Sequence, residues 1–278
     1  MFCLFPFPLP LLCQPQSVMK NPTLEGAPMK NPVLTVLLTL VLAPASFAAE
    51  WGTISGRVVL KGDVPDPVLL HAKGAPIKDG EVCAVDDTYR EDLVIDKETK
   101  GIANVFLYIY KAPKDIHPEA AKPAPKIIFD QAKCKFIPHV LVVQAGQTVE
   151  VLNSDPVAHN THTYPLRNQA MNILIAPNTK AGDGVDVATA TREIVPHQVK
   201  CDFHPWMVAH WLVLDHPYAV ATDAKGNFKM ENLPVGDHEL RIWHERVGYL
   251  DRRYEVSVSA GDNLLKPIEA DVSLFKEE

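Results

Sequence analysis

Residues 194–215 read IVPHQVKCDFHPWMVAHWLVLD, an apolar run on either side of Cys201-Asp202-Phe203-His204-Pro205-Trp206-Met207. Both flanking runs have the composition of strands, so the intervening segment is a loop joining two adjacent strands. It carries a thiolate, an imidazole and a thioether at a spacing of three: Cys201, His204 and Met207. Soft sulfur donors select copper, zinc or iron–sulfur chemistry, and a trigonal His2Cys site with a weak axial Met is the arrangement that holds copper for electron transfer. Zinc sites rarely use a thioether, which favours copper. The loop lacks one histidine. NSDPVAHNTHTY, residues 153–164, offers His159 or His162 just beyond what reads as a strand end.

Outward from the loop the chain keeps the same character. Leu141–Val143 and Val149–Leu152 are β-rich runs around Ala145-Gly146, which predicts a hairpin, and residues 171–176 predict another strand. The tail, AVATDAKGNFKMENLPVGDHELRIWHERVGY from Ala219, has turn signals at 224–226 and 235–237 between alternating apolar residues. Upstream, Ile54, Gly56, Val58 and Leu60 alternate along a first strand, and EDLVID and residues 102–110 predict two more. Residues 65–87 lack periodicity and read as a long surface loop, and the Pro-rich stretch 111–126 reads as a boundary. No segment reads as a helix. The class is an all-β sandwich, in keeping with 24 prolines against 14 glycines.

Composition sets further limits. At 278 residues two domains are expected, and a formal charge of −7 excludes a basic surface of the kind that holds nucleic acid. A mildly acidic face remains able to dock a basic partner. Met29-Lys30, an apolar core at 33–42 and Ser46-Phe47-Ala48 form a secretory signal, with cleavage after Ala48. That core is about half of a membrane span, so no span is expected in the mature chain, which is periplasmic or secreted. Met-Lys-Asn-Pro occurs at Met19 and at Met29, and either is the expected start. The mature chain keeps Cys83, Cys134 and Cys201. If Cys201 is a ligand, Cys83 and Cys134 either form a disulfide or Cys134 is simply buried on a strand; spacing does not decide. His139, His197, His210, His216 and His244 read as structural or surface residues, none having a partner at ligand spacing. No nucleophile–base pair, phosphate loop or second metal cluster stands out, so an enzyme is not expected.

From Phe136 onward the chain resembles the cupredoxins, the blue copper β-sandwiches. The residues that carry this are Phe136, Pro138, Gly146, Val149, Asn153, the pair His159-Asn160, and Cys201, His204 and Met207. The loop spacing is similar to that of amicyanin and pseudoazurin. The resemblance, over roughly residues 126–215, implies a Greek-key sandwich with one type 1 copper ion on His159, Cys201, His204 and Met207. It implies that Asn160 hydrogen-bonds to the sulfur loop. His204 is expected to present a ring edge near the surface, with Pro205 and Trp206 as an apolar rim or Trp206 as an interface aromatic. The flanks, GTISGRVVLKG and ANVFLYI before and TDAKGNFKMENLPVGDHELRI after, resemble the transthyretin-like, carboxypeptidase regulatory-like sandwich. Together these imply a leader at 1–48, an accessory sandwich formed by 50–116 and 217–276, and a copper domain at 117–216 inserted into it. The layout also resembles exported methylamine-utilisation-like proteins. The function implied is a one-electron carrier between redox proteins such as a dehydrogenase and a cytochrome c, with copper delivery as the alternative.

Overall fold

The computed structural model describes residues 50–276; the leader and signal segment expected at 1–48 lies outside the described residues. Strands are numbered along the chain. In β1 (Trp51–Lys61) alternate side chains are buried, as the Ile54, Val58, Leu60 pattern requires. β1 pairs with β15 (Asn227–Pro234) antiparallel and with β18 (Gly261–Leu264) and β19 (Ile268–Asp271) in parallel. A second flanking sheet has the order β14 (Ala219–Ala221), β4 (Phe106–Ile109), β16 (Gly236–His244), β17 (Gly248–Val258). Ile54, Val58, Leu107, Phe228, Leu240 and Ile242 from these two sheets share one core. The TDAKG turn fits because Gly226 takes φ +77° and Gly101 lies against it; a Cβ on Gly101 would stand 1.9 Å from the carbonyl oxygen of Lys225.

The central residues form two more sheets. One has the order β10 (Asn172–Ile175), β9 (His159–Thr163), β12 (His197–Lys200), β13 (Val208–Leu214), β7 (Val140–Gln144). The other is β11 (Val185–Ala188), β8 (Thr148–Val151), β5 (Lys126–Ala132), β6 (Lys135–Ile137). Phe129, Phe136, Val149, Val151, Val199 and Trp211 fill the space between them. β2 (Leu69–His71) and β3 (Thr88–Tyr89) form a small ribbon, and the described residues include two helical segments, α1 (Gly80–Cys83) and a 3-10 turn at Val272–Phe275. Both are four residues long, so the all-β class holds.

β13 explains the apolar run after the sulfur loop. Ala209, Trp211 and Val213 face the central core. Leu212 and Leu214 face the other way, packing with Phe106, Tyr108 and Trp243 of the flanking sheet. A strand buried on both faces loses the polar alternation of a half-exposed one.

Two expectations are corrected, and one open alternative is decided. β7 and β8 are not a hairpin: they belong to different sheets, β7 beside β13 and β8 between β11 and β5. Gly146, at φ +95°, and Gln147, whose side chain accepts from Gln144 N and donates to Ala124 O, turn the chain from one sheet to the other. Alternation shows which residues face the core but is the same for a hairpin and for a corner between sheets. EDLVID is not a strand; only an isolated bridge joins Ile95 to Ile102, while Leu93 and Ile95 pack on the flanking core. Cys134 is not on a strand but in the β5–β6 turn, at φ +52°, and it is bonded to Cys83.

Glu193 holds the loop after β9. Its buried carboxylate accepts from the backbone N–H groups of Leu166, Arg167 and Asn168 at 2.9–3.0 Å and from Asn168 Nδ2 at 2.7 Å. Burial acts to raise its pKa, but these donors outweigh it and hold it below the ordinary 4.5. A depressed folded pKa means the stabilisation is complete above the unfolded value and fades as pH falls through the folded one. Glu193→Gln is expected to lower stability by about 2 kcal/mol at neutral pH, since an acceptor is lost among buried donors. Denaturant unfolding of both proteins from pH 7 downward should show the gap closing below pH 4.5; a pH-independent gap contradicts this account.

Candidate metal centre

The sulfur loop is closed by its own backbone. Cys201 N donates to Met207 O at 3.2 Å and Met207 N donates to His204 O at 2.9 Å. It connects β12 to β13, which pair antiparallel, as the sequence predicts. His159 does not lie on a loop beyond a strand but is the first residue of β9, next to β12.

These two elements bring three donor atoms together. Nδ1 of His159 and Nδ1 of His204 are 2.9 Å apart, and Cys201 Sγ lies 3.9 and 3.7 Å from them. An ion in the middle of a triangle with bonds of about 2.1 Å has ligand atoms roughly 3.6 Å apart, so the triangle is close to the size a transition ion requires. His159 and His204 are fully buried, and Cys201 and Met207 nearly so.

The outer nitrogens are both engaged. His159 Nε2 donates to Asp155 Oδ2 at 2.9 Å, and His204 Nε2 donates to Asp79 Oδ2 at 3.0 Å. A carboxylate only accepts, so each partner holds a ring proton on Nε2, and Nδ1 is the atom of each ring that faces the triangle and that a metal would take. Burial opposes charge on both Cys201 and His159. For the thiol, hydrogen bonds from His159 and His204 outweigh burial and lower its pKa to about 6. For His159, Asp155 and Cys201 outweigh it and raise the pKa to about 9. The cluster therefore favours the thiolate, the form that binds metals.

Asn160 ties the strand to the loop. Its Oδ1 accepts from Asp202 N at 2.7 Å, and its Nδ2 donates to Asp202 Oδ2 at 2.9 Å. His162 is elsewhere: its ring stacks on Tyr164 and its Nδ1 meets Asp202 at 3.2 Å. Residues three apart on a strand point to opposite faces, so His162 does not share the face on which His159 meets Cys201 and His204 and touches the loop at Asp202 instead.

Residues 65–87 are more than a surface loop. Asp79 reaches His204, the His71 ring packs 4.5 Å from that of Trp206, and Cys83 of α1 is bonded to Cys134. The expected exposed ring edge of His204 is therefore covered. Trp206 is half-buried between His71 and His204, whose ring lies 5.2 Å away. Phe203, 39% exposed, reaches the surface instead, with Lys78 Nζ over its ring at 5.5 Å. Asp79 and Asp155 escaped the sequence reading, although Asp155 four residues before a candidate ligand was a usable signal; the Cys83–Cys134 disulfide is one of the two alternatives the sequence left open.

His139, His210 and Glu245 form a further cluster, brought together in space although none has a partner at ligand spacing along the chain. His197 and His244 are buried, and burial pushes the pKa of each down to about 4, as for neutral core histidines. Among the described residues no helix is long and apolar enough to cross a membrane.

No protein-family model matches the chain, and no curated protein matches it. Among solved structures the neighbours are cupredoxins, over about a third of the chain. A reduced amicyanin variant is 24% identical, with 34% of this chain and 89% of that one covered and a TM-score of 0.28. A purple cupredoxin from Nitrosopumilus maritimus is 21% identical, covering 33% and 100% at 0.26. A copper-containing nitrite reductase from Thermus scotoductus is 17% identical over 34% of this chain, at 0.28, and the match spans only 23% of that enzyme.

Proposed function

We propose that this chain is an exported type 1 copper protein that carries single electrons and has no catalytic activity of its own. The observation that carries the reading is the convergence of Cys201 Sγ, His159 Nδ1 and His204 Nδ1 in one buried triangle, with Met207 on the same short loop. In such a site copper supplies a one-electron cycle between Cu(I) and Cu(II). Cys201 would provide the thiolate, His159 and His204 the two imidazoles and Met207 a thioether. Asp155, Asp79 and Asn160 hold those groups in place, which keeps rearrangement between oxidation states small. The cover formed by residues 71–83 keeps water out. Burial this complete favours a carrier over a delivery module, because a metal meant for hand-off needs an accessible ligand.

The copper unit, residues 117–216, is read as an insertion into a carboxypeptidase regulatory-like sandwich formed by 50–116 and 217–276. The flanking sheets draw strands from both sides of it. A cytochrome c or a dehydrogenase is the proposed type of partner, and the periplasm or the exterior the proposed location.

The test is spectroscopic. The copper-loaded chain is expected to show an intense blue absorption and a reversible one-electron wave. Cys201→Ser and His159→Ala should abolish the colour, and His162→Ala should keep it. A colourless copper complex, or colour that survives His159→Ala, refutes the assignment.

A further inference from the structure

A second cluster of metal-binding side chains lies where the central sheets meet the flanking ones. His139 is in the bend between β6 and β7, His210 is on β13, and Glu245 is in the turn between β16 and β17. The backbone fixes the first two against each other, since His210 N donates to His139 O at 3.0 Å. One nitrogen of each histidine and one carboxylate oxygen of Glu245 lie within 4.8 Å of one another. His139 Nε2 is hydrogen-bonded to Glu245 Oε1, and His210 Nδ1 stands 3.5 Å from Glu245 Oε2.

Two features distinguish this cluster from an ordinary buried polar group. Nδ1 of His139 and Nδ1 of His210 are both buried without a hydrogen-bond partner, and the three side chains are only 6–8% exposed. Leaving such a group unpaired costs about 1–3 kcal/mol, and a cation bound at His210 Nδ1, the one that faces Glu245, removes that cost there. The cluster also borders a cavity of about 350 Å³, lined further by Gln198, Trp206, Glu91 and Asp92. Glu91 Oε2 is 4.0 Å from His139 Nδ1 and adds negative charge. The guanidinium of Arg246, also at the cavity, is paired with Asp92 at 2.9 Å, which offsets its repulsion of a cation.

The donor set differs from that of the sulfur loop. Two imidazoles and a carboxylate, without sulfur, suit a borderline divalent ion, and His2Glu with a fourth position left open is an arrangement that holds zinc. We propose that His139, His210 and Glu245 form a second metal site, for a divalent ion of the zinc type, with an open coordination position facing the cavity. The site joins the two sandwiches, taking its histidines from the central unit and its carboxylate from the flanking one. It stands independently of the copper reading.

Zinc alone, added to the full metal-free chain, is the probe, with bound equivalents counted after removal of excess and affinity measured against a competing chelator. Wild type and Cys201→Ser should both hold zinc at this site. Glu245→Gln and His210→Asn should each hold one equivalent fewer than wild type, with affinity at the site reduced by more than about 100-fold. Zinc should raise the unfolding temperature of Cys201→Ser but not that of Cys201→Ser with Glu245→Gln, because an ion stabilises only the state it binds. If Glu245→Gln, folded by circular dichroism, retains every equivalent with unchanged affinity, the site is refuted. Loss of the zinc in Cys201→Ser alone assigns the ion to the sulfur loop and also overturns the proposal.

Discussion

Replacing both Cys83 and Cys134 by alanine is expected to lower the unfolding free energy by about 4 kcal/mol. The bond joins residues 51 apart, and in the chain-entropy account a loop of that length costs the unfolded chain about that much freedom. Denaturant unfolding checks it: the midpoint should fall well beyond the scatter of the measurement, and an unchanged midpoint refutes the estimate. The same change should loosen the cover over the sulfur loop. α1 has four residues and cannot hold itself in place, and the Asp79–His204 hydrogen bond contributes only about 1–2 kcal/mol. With the bond gone, His204 should react faster with a histidine-modifying reagent, while wild type keeps it protected.

Asp155→Ala should be nearly as costly, about 3–5 kcal/mol, because it removes one partner of a buried pair and strands several donors at once. Asp155 accepts from His159 Nε2, from Lys133 N at 2.6 Å and from Cys134 N at 2.8 Å. It thus holds both a proposed ligand and the turn that bears the disulfide. Loss of the carboxylate should also reduce copper affinity by about 10–100-fold, the usual effect of removing the group that orients a ligating histidine. Competition with a copper chelator measures the affinity and denaturant unfolding of the metal-free chain measures the stability. Wild-type copper affinity in the variant excludes an orienting role for Asp155, and an unchanged stability excludes its role in the turn.

The sulfur loop and its two strands were legible from residues 194–215 because donor spacing and strand composition are both local. So was the alternation of β1, since period two says which side chains are buried whatever the strand pairs with. The same local rule could not tell a hairpin from a corner at Ala145-Gly146, because β7 and β8 offer apolar residues to one core in either arrangement. Nor could it assign a role to residues 65–87, which have no period. Their order comes from contacts far along the chain: Asp79 with His204, His71 with Trp206, Cys83 with Cys134.

The same division runs through the two candidate metal sites. Three of the four groups proposed to hold copper lie within Cys201–Met207, where the chain itself keeps them close, and Asn160 beside His159 marked the fourth. His139, His210 and Glu245 share no such segment; Glu245 is 106 residues from His139. They meet because β13 is buried on both faces, one against the central core and one against the flanking sheet, and His210 lies at that second contact beside Trp243. Identity and spacing along the chain determine which donors are available and which face of a strand they occupy. Only the packing of the central sheets against the flanking ones decides which distant donors share a cavity, because that depends on the shapes of surfaces built from residues far apart in sequence.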